Sequence, residues 1–176
     1  VQTITLLFTR RRFNPISWLI RWAIPRSRFA LALSSHCIID AGDKLYEATM
    51  LHGVREVGRA TALAGQTVVL QRAYRVRNAA AGVGWVKTQL CRYKAQAPSW
   101  LPDWAQRLYC AAALVLNSNY DWPGALGLGL SPYRDWAAEG FWFCYELGAG
   151  CLVAAGRDDF ADTGHITEAS LLMIKP

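Results

Sequence analysis

The stretch from residue 34 to residue 49 constrains the fold more than any other part of this chain. Ser34-Ser35-His36-Cys37-Ile38-Ile39-Asp40 and Lys44-Leu45-Tyr46-Glu47-Ala48-Thr49 are two strand-like runs, separated by Ala41-Gly42-Asp43. Gly42 in the first central position suits a tight type II′ hairpin turn. Two-residue closure pairs Ala41 with Lys44 and Asp40 with Leu45. In that register Ile38 faces Glu47 and His36 faces Thr49. His36 and Glu47 then share one sheet face as diagonal neighbours, about 7–8 Å apart at the backbone. A slip of one residue would separate them onto opposite faces.

Other segments place this hairpin in a mixed fold. Residues 4–9 and 67–73 read as further strands. Asn14-Pro15 marks a helix start, with Trp18, Leu19 and Trp22 on one side and Pro25 at its end. Residues 79–94, 106–116 and 141–155 have helical patterns, and Gly156 stands where a C-terminal glycine cap belongs. Residues 97–104, rich in Trp and Pro, read as an ordered surface insertion. Strands gathered together and then helices indicate an α+β domain rather than alternating α/β. One domain spanning 1–176 accounts for the length, and 53% hydrophobic residues with eight tryptophans exclude a disordered chain.

The charge is uneven. Residues 1–39 carry Arg10, Arg11, Arg12, Arg21, Arg26 and Arg28 and no acid, so the formal charge of +6 resides there. Clustered arginines suit phosphate contact, yet no nucleic-acid-binding motif accompanies them. They read as a basic face of the domain, able at most to favour weak association with anionic surfaces. The apolar residues 4–8 precede the arginines, the reverse of a signal peptide, and no run reaches the roughly 18–20 apolar residues of a membrane span. The expectation is a soluble chain, cytoplasmic as synthesised.

Five cysteines (Cys37, Cys91, Cys110, Cys144, Cys151) form no C-x-x-C pair, and with three scattered histidines they show no zinc-ligand spacing. No metal or organic cofactor is expected. Most of these thiols should be small buried hydrophobes. Cys144 differs, because it falls near the start of the 141–155 helix, where the helix dipole and a nearby imidazole favour a thiolate. Cys151 lies two turns deeper. His52 and His165 lie near glycines in loop-like segments and are not assigned to catalysis. Asp121 and Glu146 are read as turn and helix-terminus residues.

Ser35-His36-Cys37-Ile38-Ile39, followed by Tyr46-Glu47-Ala48 and Gly53-Val54, resembles the "SHVGI … YEA … GV" pattern of circularly permuted NlpC/P60 proteins. Phe141-Trp142-Phe143-Cys144-Tyr145-Glu146-Leu147 is similar to their "WFCSEL" helix start. Asn119-Tyr120-Asp121-Trp122 resembles the "YD" turn before that helix, and Ile166-Thr167 to Leu171-Leu172 resembles the closing "IT … L" segment. Two positions depart from the pattern: Tyr145 stands for the usual Ser and Cys37 for the common Val.

The resemblance implies a papain-like fold of permuted topology, its small antiparallel sheet carrying His36 and packed on a helix carrying Cys144. It implies Cys144 as nucleophile, His36 as general base and Glu47 as the residue orienting the imidazole. Tyr120 and Tyr145 are expected to line the substrate site. The implied activity is amide hydrolysis, with cell-wall peptides as substrate. The alternatives are a lipid acyl hydrolase or acyltransferase on the same fold, suggested by the Trp-rich composition, and a catalytically silent binding protein.

Overall fold

A computed structural model describes residues 2–11, 34–49, 51–94, 96–121, 141–160, 166 and 168–176. The expected helix at 14–25, the turn residues 122–124, His165 and Thr167 lie outside them.

Five strands form one antiparallel sheet: β1 (Gln2–Arg10), β2 (His36–Asp40), β3 (Leu45–Thr49), β4 (Gly53–Val57) and β5 (Thr67–Val76). Their order is β4-β3-β2-β1-β5, which puts β1 between β2 and β5. The described helices are α1 (Arg59–Ala62), α2 (Ala79–Thr88), α3 (Asp103–Asn117), α4 (Cys144–Ala154) and α5 (Glu168–Met173). The α+β class expected from the sequence is what the chain adopts.

Side-chain alternation along β1 decides how the sheet is covered. Ile4, Leu6 and Phe8 enter the main core with Cys37, Ile39, Tyr46 and the buried residues of α4. Leu7 joins a smaller cluster with Ile38, Leu45, Val57 and Ala62 of α1. Helix α4 packs on β2, β3 and α2. Two glycines allow the close approach of α2 and α4. A Cβ on Gly82 would sit 2.6 Å from the Cys151 carbonyl oxygen, and one on Gly150 would sit 2.3 Å from the Trp85 ring.

Several boundaries differ from the sequence expectations, each for a local reason. The helix expected over 79–94 stops at Thr88, because the chain beyond it turns to β4, where the Cys91 N–H donates to the Val54 carbonyl at 2.8 Å. The helix expected over 106–116 begins earlier, at Asp103, just after Pro102. Helix α4 starts at Cys144 rather than at residue 141, because Phe143 is extended (φ −86°, ψ 153°) and Trp142 bridges to Tyr120. Strand β4 and helix α1 had no counterpart in the sequence reading. With Arg55 and Glu56 in its five residues, β4 lacks the apolar run that marks a strand.

Candidate active site

The hairpin register is the one anticipated: Asp40 pairs with Leu45 and Ile38 with Glu47. Gly42 has φ +93°, and the Ala41 N–H donates to the Lys44 carbonyl at 3.0 Å, closing the two-residue turn. This register brings the side chains of His36 and Glu47 together, with His36 Nε2 2.8 Å from Glu47 Oε2.

Glu47 is wholly buried rather than close to an open sheet edge, because β4 covers the outer side of β3. Opposite it on β4 stands Arg55, whose Nε and Nη2 donate to Glu47 Oε1 at 2.9 and 2.5 Å. The carboxylate therefore has one oxygen on the imidazole and the other on a guanidinium. Burial alone would raise the Glu47 pKa, but the hydrogen bonds and charges of His36 and Arg55 outweigh it and hold the carboxyl below its usual range. Arg55 is a site residue that the sequence reading missed. Recognising β4 would have revealed it, since a hairpin closing through residues 50–52 sets Arg55 opposite Glu47.

Cys144 is the first residue of α4, a position nearer the positive end of the helix dipole than its expected place in the first turn. Glu146 reaches back to accept from the Phe143 N–H at 3.1 Å, so it serves the helix terminus as expected. His36, at the first position of β2, interacts with Cys144 strongly enough to shift its pKa. Nε2 is engaged by Glu47, which leaves Nδ1 as the ring nitrogen open to a second partner. Burial lowers the His36 pKa, but the Cys144 and Glu47 hydrogen bonds and charges outweigh it and raise it to about 9. The imidazole is thus held as a cation beside the Glu47 carboxylate. The Cys144 residue is only 2% exposed, whereas the His36 side chain is 17% exposed.

The surroundings fix the helix start and the turn before it. Asn119 accepts from the Val54 N–H at 2.8 Å and donates to the Gln89 carbonyl at 2.6 Å. The Trp142 N–H in turn donates to the Asn119 carbonyl at 2.9 Å. Tyr120 is buried beside Cys144, its ring edge-on to Phe143 with centroids 6.2 Å apart. Burial, followed by the charges of Cys144 and Glu146, pushes its hydroxyl well above the ordinary tyrosine pKa.

Tyr145 requires a correction. It has no exposed surface, stacks on Phe8 with centroids 6.5 Å apart, and its hydroxyl pairs with Ser34 Oγ at 2.9 Å. Where a substrate contact was expected, Tyr145 instead packs α4 onto β1. The rings of Tyr120 and Phe143 likewise pack Tyr120 against the helix start. Cys37 is buried on the other side of β2 from His36. A Cβ on Gly148 would meet its sulfur at 3.3 Å, so it fills core space under α4. His52 lies in the β3–β4 turn. Burial and then the Arg55 charge lower its pKa.

Among the described residues no group of three or more His, Cys, Asp or Glu side chains is arranged to hold a metal ion. Comparison with protein-family models, curated proteins and solved structures finds no match to the chain.

Proposed function

We propose that the protein is a papain-like cysteine hydrolase of the circularly permuted NlpC/P60 type that cleaves amide bonds, with cell-wall peptides as its substrate class. The observation that carries this reading is the His36 imidazole hydrogen-bonded to the buried Glu47 carboxylate, its pKa raised by Glu47 and by Cys144 at the start of α4. A thiol–imidazole–carboxylate series supplies a nucleophile, a base and a group that orients the base. The substrate class rests on the motif resemblance.

In the reaction, Cys144 reacts as a thiolate beside the His36 imidazolium, its proton having already passed to the ring, and the sulfur attacks the substrate carbonyl carbon. Negative charge develops on the carbonyl oxygen as the tetrahedral adduct forms. Backbone N–H groups in the first turn of α4 have no intrahelical acceptor and are the natural donors to that oxygen. The imidazolium then gives its proton to the leaving amine as the C–N bond breaks. The neutral His36 next takes a proton from water, whose oxygen attacks the thioester carbonyl, and the Cys144 sulfur leaves as a thiolate beside the restored imidazolium. Glu47 stays ionised throughout, holding Nε2 in place and balancing the imidazolium. Arg55 keeps the carboxylate oriented from the far side.

The test is to incubate the wild type and Cys144→Ala with peptidoglycan fragments and with lipid esters, and to identify products by mass spectrometry. Amide cleavage by the wild type alone supports the proposal. Equal product yields from the two proteins would remove Cys144 as nucleophile, and cleavage of esters alone would move the activity to lipid substrates.

A further inference from the structure

Helix α3 leaves most of its large apolar side chains exposed. At 100° per residue, Trp104, Leu108, Ala112, Leu116 and Tyr109 fall within an arc of about 140°. All five are exposed, with Trp104 at 67%, Leu108 at 63% and Leu116 at 80%. The half-buried positions are Ala105, Gln106, Cys110, Ala113, Leu114 and Val115, and Ala105 and Val115 lie within the same arc. None of the fifteen residues of α3 is fully buried. Trp100, just before the helix, is 80% exposed. A continuous outward apolar face of this kind is a binding surface rather than scattered surface hydrophobicity.

The charge on the helix and in the chain leading to it selects the occupant. Across residues 92–117 the charged side chains are Arg92, Lys94, Arg107 and the single acid Asp103. Tryptophan and tyrosine with neighbouring Arg and Lys form the pattern that settles at an anionic lipid–water boundary, rings in the headgroup layer and cations at the phosphates. At 15 residues α3 is about 22 Å long, short of the ~30 Å hydrocarbon layer, so it fits a helix lying on a bilayer rather than crossing it. No described helix is long and apolar enough to cross a membrane.

We infer that the outward face of α3, with Trp100 before it, docks the protein onto an anionic lipid bilayer. The helix leads within three residues to Tyr120, through Asn119, which is hydrogen-bonded to Val54 and Gln89. The inference does not depend on the catalytic reading.

Co-sedimentation with phosphatidylcholine vesicles, with and without about 30% phosphatidylglycerol, tests it. The wild type should partition to the anionic vesicles, and less so in about 0.5 M salt, where the charge contribution is screened. Trp104→Glu and Leu108→Glu, both at exposed positions, should each lower that partitioning roughly tenfold while leaving the melting temperature unchanged. Failure of the wild type to bind anionic vesicles overturns the inference. Binding that survives both substitutions also overturns it, by assigning the contact to another surface such as the arginine-rich residues 1–39. A concentration-dependent dimer abolished by Leu108→Glu, without vesicle binding, would assign the face to a second copy of the chain.

Discussion

The Glu47 carboxylate divides its two oxygens between His36 and Arg55, at 2.8 Å for the imidazole and 2.5 Å for the guanidinium Nη2. This buried carboxylate is therefore satisfied on both sides. Its position follows from two hairpins in succession: β2–β3 sets Glu47 diagonal to His36, and β3–β4 sets it opposite Arg55.

Replacing Glu47 with Gln keeps the shape and removes the charge. His36 should then titrate well below its present value of about 9, readable by NMR of the ring protons. Under the proposed function kcat should fall by roughly 10²-fold or more while KM changes little, since Glu47 acts through the imidazole. Loss of activity with an unaltered His36 titration would show that Glu47 has only a packing role.

The same pair makes stability depend on pH in a set direction. The folded His36 pKa is raised from 6.5 to about 9, so its contribution is fully present below about pH 6.5 and is lost as pH rises through about 9. The folded Glu47 pKa is lowered, so its contribution is present above the ordinary carboxyl value and lost as pH falls through the folded pKa. Urea melts of the wild type and His36→Gln should differ most near pH 6, on the order of 2 kcal/mol, and converge by pH 10. A gap that does not change with pH would contradict the raised imidazole.

Gly82 tests the packing that holds α4. Its substitution by Ala would drive a methyl group against the Cys151 carbonyl at 2.6 Å and Ile4 Cδ1 at 2.9 Å. The carbonyl belongs to the α4 backbone and cannot rotate away. Gly82→Ala should cost about 1–3 kcal/mol in denaturant melts.

Asn119 tests the turn that leads to Tyr120. Asn119→Ala removes the acceptor of the Val54 N–H and the donor to the Gln89 carbonyl, for an expected loss of about 1–3 kcal/mol. Amide exchange at Val54 should accelerate more than exchange at Ile38 in the central sheet, and hydrogen-exchange mass spectrometry reads that difference.

The hairpin and the His36–Glu47 pairing were legible in the sequence because strand alternation and a glycine turn together determine register. Gly42 supplied the turn, and one count along two strands brought His36 to Glu47. Cys144 was legible because it falls near the N-terminus of an apolar helical run. Arg55 was not, since β4 is short, carries two adjacent charged residues, and becomes a strand through pairing with β3 rather than through its own pattern. The burial of Tyr145 was also hidden: its neighbours Phe8 and Ser34 are distant in sequence and meet it only when α4 lies across the sheet. Periodicity identified α3 as a helix, but whether its apolar side faces inward or outward depends on contacts between distant elements.

Reactivity of Cys144 toward iodoacetamide as a function of pH, resolved by peptide mass spectrometry, tests the thiol–imidazole pair most directly. Cys91 and Cys110, both partly exposed, serve as internal references. Pairing with a protonated imidazole predicts that Cys144, although buried, is alkylated faster than either reference at pH 6, and that His36→Gln abolishes this advantage. Labelling of Cys144 at pH 6 no faster than that of Cys91 and Cys110 would contradict an activated nucleophile.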